Sequence, residues 1–381
     1  MEETFFATPF AKPLYVMLKP VGAACNLRCK YCYYLEKKNL YQENDNLFMS
    51  DATLERFIRQ YLESQTSEYV LFMWHGGEAF IRNIDFYEKA LKLQQKYGKG
   101  LIIENAVQTN GTLLNDKICR FLKENHFLTG ISIDGPQHCH NRYRYNSAGK
   151  GSFDDVMKGL QLLNKYQIDF NVMTAVNDYN VNFPIEIYNF FKDLDCKYIQ
   201  LLPVVDSIDG KPASWNVPSE KWGDFLIAIF NEWKQNDIGR IFVTLFDATL
   251  ARWMDINSGD CTFSKTCGQA GVMEFNGDVY SCDHYVYPQY KLGNIFSSTI
   301  TEMMYSERQL LFGDYKFNSL PQKCLECRYL FACNGGCPKQ RIELSEQGEA
   351  GLNALCAGYK KYFEYVEPFM EKMANFVSKS K

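Results

Sequence analysis

The residues of this chain best suited to chemistry are its fourteen cysteines, and their spacing is uneven. Cys25, Cys29 and Cys32 form a Cys-x3-Cys-x2-Cys run, eight more crowd between Cys261 and Cys356, and Cys119, Cys139 and Cys196 stand apart. Clustered thiols in a reducing compartment point to metal ligation before disulfides, and the content falls short of the roughly 8–10% that marks small secreted disulfide scaffolds. Three thiols in one loop leave a position open: a four-iron cluster held by three thiolates keeps one iron free to hold a cofactor. Spacing alone leaves a zinc site open as well. For the C-terminal eight, two closed sites of four thiolates satisfy the count whether iron–sulfur or zinc fills them.

The elements that must position these thiols read clearly between the first cysteines and about residue 205. Short β-rich runs, Leu14–Leu18, Tyr69–Trp74, Leu101–Val107, Leu128–Ile133, Phe170–Val176 and Tyr198–Val205, alternate with segments of helical period. The helices are expected over Asp51–Leu62, Asn83–Tyr97, Asn115–Asn125, Phe153–Tyr166 and Asn182–Leu194, followed by Ser219–Asn236. This order predicts an α/β fold, a partial (β/α)6 barrel of the TIM type, whose functional groups gather at the C-terminal strand ends. His75-Gly76-Gly77-Glu78, Gln108-Thr109-Asn110-Gly111 and Asp134-Gly135-Pro136 sit at those ends. Beyond residue 240 the alternation fades into a cysteine-rich region, where Asn276-Gly277 marks a hairpin that delivers Cys282 beside Cys267. Tyr359–Val377 reads as an amphipathic helix over this second domain. The expected division is 1–240, 241–360, and a helix and tail over 361–381.

Composition limits the alternatives. Hydrophobic residues make up 46% and charged residues 23%, enough for one or two cores. With 41 Lys and Arg against 45 Asp and Glu, a net charge of −4 gives no polycationic surface for nucleic acid. No apolar run reaches the roughly 20 residues that cross a bilayer, and Met1–Pro13 lacks the apolar core of a signal peptide, so a cytoplasmic protein without membrane or nucleic-acid partners is expected. There is no Walker loop, GxSxG elbow or HExxH helix.

The stretch Cys25-Asn26-Leu27-Arg28-Cys29-Lys30-Tyr31-Cys32 resembles the signature of radical S-adenosylmethionine enzymes. Gly76-Gly77-Glu78 resembles their glycine-rich turn, which meets the methionine amino group through backbone, and the Gln108 and Ser132-Ile133-Asp134-Gly135 segments match in type and order. Two glycines suit that turn, since a backbone without side chains lets a small zwitterion approach the strand end. The C-terminal cysteines resemble the SPASM extension, which holds two auxiliary four-iron clusters. That resemblance implies Cys261, Cys267, Cys282 and Cys337 for one, and Cys324, Cys327, Cys333 and Cys356 for the other. With Cys25, Cys29 and Cys32, three [4Fe-4S] clusters are implied. Cys119 and Cys196 are expected to pack as small apolar side chains, and Cys139, between His138 and His140, to belong to a loop near the cofactor rather than a metal site.

Over nearly its whole length the chain resembles the anaerobic sulfatase-maturating enzymes. The resemblance implies cleavage of S-adenosylmethionine to a 5′-deoxyadenosyl radical, removal of a β-hydrogen from a cysteine or serine of the sulfatase motif, and oxidation to Cα-formylglycine. It implies Asp283 as general base, Tyr31, Gly77, Ser132, Arg144 and Val205 as cofactor contacts, with Arg142 a neighbour of the same type, and Tyr34 and His75 facing the substrate peptide. Ala79 stands where many members carry proline, and His75 where glutamine is frequent, which bears on peptide preference more than on reaction type. The implied partners are an unfolded or nascent sulfatase polypeptide and a flavodoxin- or ferredoxin-type electron donor. Rival expectations are a SPASM enzyme that cross-links peptides, disfavoured because the barrel begins near Leu14 without a leader-recognition domain, a multi-cluster electron carrier, and a zinc-stapled binding module.

Overall fold

The computed structural model describes residues 14–42, 47–257 and 259–379; the Met1–Pro13 segment lies outside them. Six parallel strands follow one another in space as in sequence: β1 (Tyr15–Lys19), β2 (Tyr69–Trp74), β3 (Ile102–Thr109), β4 (Leu128–Ser132), β5 (Phe170–Val176) and β6 (Tyr198–Pro203). A small hairpin, β7 (Ser207–Ile208) and β8 (Lys211–Pro212), leaves the sheet, and β9 (Phe242–Val243) extends it beyond β6.

The crossover helices are α1 (Asp51–Glu63), α2 (Ile84–Tyr97), α3 (Asp116–Glu124), the single turn α4 (Gln137–His140), α5 (Phe153–Lys165) and α6 (Pro184–Asp193). Ser50, Asn83 and Asn115 start the first three by accepting from the backbone N–H three residues on, satisfying donors that a helix start leaves free. In α1 the residues Leu54, Phe57, Ile58, Tyr61 and Leu62 are buried, the three-and-four spacing that turns one face to the sheet.

Apart from a short antiparallel ladder of Glu343–Leu344 with Ala350–Leu352, the cysteine-rich region places its strands in the main sheet. Its hairpin, β10 (Ala270–Glu274) and β11 (Asp278–Tyr280), joins the barrel sheet, with β10 parallel to β1 from Tyr15 opposite Ala270 to Lys19 opposite Glu274. With β12 (Lys291–Asn294) the sheet has ten strands in the order β12-β11-β10-β1-β2-β3-β4-β5-β6-β9. The helices α7 (Ser219–Asn236), α8 (Thr244–Trp253), α9 (Ile300–Met304), α10 (Glu307–Asn318), α11 (Gln322–Leu325) and α12 (Leu330–Cys333) precede the last one, α13 (Cys356–Lys379).

Helix α13 lies against the second domain, where Phe363 meets Trp253, Phe263 and Tyr329, and against the barrel side as well. It begins at Cys356 and packs chiefly along α7 and α8. Tyr359 meets Trp222 edge-on, and Tyr362 meets Phe230 edge-on and stacks on Phe246. The backbones touch at Gly358, where an added Cβ would stand 2.0 Å from the Ser219 carbonyl oxygen. The aromatic face of α13 finds its largest apolar partner on the barrel side, and burial there decides the docking.

Candidate active site

The first three cysteines lie in the loop that leaves β1. Cys25, Cys29 and Cys32 line one cleft together with Ala23, Leu27, Tyr34, Leu35 and Gly77. The loop is held on two sides. Arg28 N–H and Lys30 N–H donate to the Tyr145 and Tyr143 carbonyls at 2.7 and 3.0 Å, while Asn26 accepts from Asn110 Nδ2 at 2.9 Å and donates to Thr112 Oγ1 at 2.8 Å. Burial is the first cause that raises all three thiols, Cys25 to about 11 and Cys29 to about 12. Thiols this reluctant to ionise in the free chain become thiolates when a metal replaces the proton.

Gly77 also makes room within the chain itself. Its N–H donates to the Gly22 carbonyl at 2.8 Å, Glu78 N–H donates to Ala24 O at 2.9 Å, and a Cβ on Gly77 would stand 2.0 Å from Ala24 O. The missing side chain makes room for the cysteine loop itself. Glu78, quoted in the turn without a role, is 1% exposed and accepts from Thr109 Oγ1, Asn110 N–H and Phe80 N–H at 2.7, 2.7 and 3.1 Å. It ties the β2 turn to the β3 turn.

Arg144 and Tyr31 meet at a carboxylate that had no assigned role. Asp134, fully buried, accepts from Arg144 Nε at 2.9 Å, from the Tyr31 hydroxyl, and from Ala175 N–H at 3.0 Å. Arg142 instead lies over the Tyr143 and Tyr179 rings, which separates the two neighbouring arginines. Ser132 accepts from Gln108 Nε2 at 3.1 Å across the ends of β4 and β3. Val205, 8% exposed, lies two residues past β6, with no direct contact to the Asp134 group among the described interactions. Cys119 and Cys196 are buried among apolar side chains. Cys139 is 1% exposed with its Sγ 3.7 Å from His138 Nδ1, while His138 Nε2 pairs with Glu186 at 2.9 Å and His140 with Ser152 Oγ at 3.0 Å.

Asp283 occupies the meeting point of the cysteine loop and the β10–β11 hairpin. Lys19 Nζ stands 2.5 Å from its Oδ1, the Tyr33 hydroxyl donates to Oδ2, and the side chain keeps 17% exposure. Burial works to raise this carboxyl, but the Lys19 charge beside it outweighs that, so it lies well below the ordinary carboxylate range. Lys19 Nζ is also 3.0 Å from His75 Nδ1, which accepts from Gly76 N–H at 2.7 Å. Burial and the Lys19 charge push His75 down to about 3, so the ring is neutral. Tyr34 is 2% exposed and its hydroxyl donates to Glu274, the cross-strand neighbour of Lys19. Lys19, Tyr33 and Glu274 were not singled out from sequence; a lysine ending an apolar strand just before the cysteine loop was the available signal.

Beyond burial, mutual repulsion sorts the remaining eight thiols. Cys261, Cys267 and Cys282 are each raised by Cys337, and Cys261 and Cys267 also act within that group. Cys333 is raised by Cys356, Cys324 and Cys327, Cys324 by Cys356 and Cys327, and Cys356 by Cys327. Burial would raise Cys337 too, but a hydrogen bond from His284 and its charge bring it below the ordinary value. Two neighbourhoods of four thiols fit two closed four-thiolate clusters, and three thiols at an open cleft fit a cluster with one free iron. Among the described residues no three His, Cys, Asp or Glu side chains already stand close enough to hold a single metal ion, so the grouping is one of loops, not of finished ligand geometry.

Known families share this arrangement. Residues 20–191 match the radical SAM superfamily and residues 266–328 an iron–sulfur cluster-binding domain, SPASM. The serine-type anaerobic sulfatase-maturating enzyme of Bacteroides thetaiotaomicron is 54% identical over 98% of this chain and 94% of its own length. The chain belongs to the anaerobic sulfatase-maturating enzymes. A cysteine-type member from Clostridium perfringens is 31% identical over 95% of this chain and 99% of its own. The solved structure described as native anSMEcpe with bound AdoMet and Cp18Cys peptide superimposes with a TM-score of 0.87 at 32% identity, covering 96% of this chain and all of that one. As a sulfatase-maturating enzyme this chain is a radical S-adenosylmethionine oxidoreductase that uses [4Fe-4S] clusters, with additional clusters in its SPASM region. Among the described residues no helix is long and apolar enough to cross a membrane.

Proposed function

We propose that the chain oxidises a serine or cysteine of a sulfatase polypeptide at the cleft above Cys25, Cys29 and Cys32, with Asp283 as the base. The observation that carries this reading is the Tyr33–Asp283 hydrogen bond, which joins the residue after Cys32 to the residue after Cys282. When bound, the reduced cluster and S-adenosylmethionine supply the radical that removes the β-hydrogen. Gly77, whose N–H is already held by Gly22, offers its carbonyl to the methionine ammonium. Tyr31, Ser132, Arg144 and Val205 hold the remainder, with Arg144 fixed by Asp134. Asp283, kept ionised by the Lys19 ammonium beside it, is the carboxylate that takes the substrate proton. His75 and Tyr34 form the wall on the peptide side.

Cys25, Cys29 and Cys32 hold the first cluster; Cys261, Cys267, Cys282 and Cys337 the second; and Cys324, Cys327, Cys333 and Cys356 the third. The domain divisions near residues 240 and 360 separate these roles in sequence. A flavodoxin- or ferredoxin-type protein provides the electrons, and the reaction takes place in the cytoplasm on unfolded or nascent chains.

The test is anaerobic. Reconstituted, reduced enzyme receives S-adenosylmethionine and peptides with Ser-x-Pro-x-Arg or Cys-x-Pro-x-Arg, and 5′-deoxyadenosine and peptide mass are followed together. An aldehyde at the target residue is expected. In Asp283→Asn, 5′-deoxyadenosine continues while aldehyde falls by roughly 10²-fold or more, the usual contribution of a positioned base. Wild-type cleavage of the cofactor without any peptide change would overturn the substrate assignment.

A further inference from the structure

Two cations stand between the auxiliary thiol groups, and the reading of the function uses neither. Helix α10 packs on the Cys267 loop at Gly313, whose carbonyl accepts from Cys267 N–H at 3.2 Å and whose missing Cβ leaves room for Cys267 O. One turn later Lys316, fully buried, donates to the Cys261 and Thr262 carbonyls, at 2.5 and 2.9 Å. No carboxylate pairs with it among the described ion pairs; burial and the Arg341 charge work against its ammonium, and the Cys261, Cys267 and Cys337 thiols favour it. A buried, unpaired ammonium is costly, so its natural counter-charge is a thiolate-bound cluster.

Arg341 is the second cation. Its guanidinium is fixed on carbonyls of the loop between Cys333 and Cys337, with Nε 3.0 Å from Gly335 O and Nη2 3.1 and 3.3 Å from Asn334 O and Gly336 O. Nη1 donates to Lys316 O at 2.5 Å, joining the two cations. Unlike Lys316, Arg341 grips the loop that runs from Cys333 of one group to Cys337 of the other, and thiols of both groups act on its charge.

We infer that Lys316 and Arg341 are positioning charges that favour electron uptake by the auxiliary clusters, Lys316 acting on the Cys261, Cys267, Cys282 and Cys337 cluster alone and Arg341 on both. This rests on the cluster assignment above. Conversion of a serine carbon radical to the aldehyde releases one proton and one electron, and a cysteine radical releases the same to give a thioaldehyde that water hydrolyses with loss of hydrogen sulfide; in either case the proton goes to Asp283, and an oxidised four-iron cluster that takes the electron gains one negative charge. A fixed positive charge in a low-dielectric interior stabilises that more negative state.

The experiment is a reductive titration of fully loaded enzyme followed by paramagnetic resonance, with iron and sulfide counted per chain. Lys316→Met lowers the reduction equilibrium constant of one auxiliary cluster at least tenfold, about 59 mV for one electron, and leaves the other in place. Arg341→Gln lowers both. Arg341→Lys, which keeps the charge and loses the fork, leaves both within about threefold of wild type. Unchanged potentials in loaded neutral variants overturn the inference, as do equal shifts in Arg341→Lys and Arg341→Gln. Neutral variants that load no auxiliary iron overturn it too, because the residues then serve only to hold the loops. A wild-type chain without two auxiliary clusters would instead defeat the cluster assignment.

Discussion

Lys19 and Asp283, 264 positions apart in the sequence, form an ion pair of 2.5 Å that links the last residue of β1 to the residue after Cys282. The lysine is fully buried and no other cation lies as close to the carboxylate among the described ion pairs. The pair holds Asp283 ionised although burial favours the neutral acid. A depressed carboxyl contributes stability above its unfolded value, near 3.9, and that contribution is lost as pH falls toward the folded value. Lys19→Met removes the largest lowering influence, so the Asp283 carboxyl rises. The acid limb of aldehyde formation then moves up by at least about one pH unit, and leaving a buried charge unpaired costs about 3–5 kcal/mol. Single-turnover aldehyde yield across pH, with thermal unfolding of the loaded protein, checks both.

Gly77→Ala places a Cβ where Ala24 O already stands. Neither atom can yield without moving the backbone between β1 and Cys25. The variant is expected to lose one cluster's worth of iron, the auxiliary clusters remaining, and 5′-deoxyadenosine formation should drop by more than about 10²-fold, as sub-ångström misplacement in an active site does. Iron analysis beside far-ultraviolet circular dichroism separates this from global unfolding.

Arg144 and Arg142 give opposite outcomes. Arg144→Met leaves the buried Asp134 without its cation, at a cost of about 3–5 kcal/mol, and raises the KM for S-adenosylmethionine. Arg142→Ala removes ring contacts worth about 0.5–1 kcal/mol and leaves that KM within about twofold. Steady-state cofactor cleavage by the two variants is the measurement.

Glu78→Gln turns an amide N–H2 toward donors that now face carboxylate oxygens. Loss of charge-assisted bonds of this kind costs about 1.5–3 kcal/mol. Anaerobic unfolding of the loaded chain should show a lower midpoint, and Thr109→Ala, which removes only one of the three donors, a smaller fall.

Much of this architecture was legible before any coordinates. The apolar runs at Tyr69–Trp74 and Phe170–Val176 coincide with β2 and β5, and Ser219–Asn236 coincides with α7, because strand alternation and helical period are properties of neighbouring residues. Asn276-Gly277 placed the β10–β11 turn, with Gly277 at φ +88°, and the cysteine spacing set which thiols share a loop. What the sequence could not determine is which edges and faces meet. The pairing of β10 with β1, which puts Lys19 opposite Glu274 and Asp283 within reach, depends on an edge strand finding a partner some 250 residues away, and no local pattern encodes that choice. The same holds for α13, whose aromatic face suits more than one surface until burial against α7 decides. Residue types and spacing gave the cysteines and the turns their chemistry; the cations Lys19, Arg144, Lys316 and Arg341 acquire their roles only when folding removes water and brings distant carboxylates and cysteine loops against them.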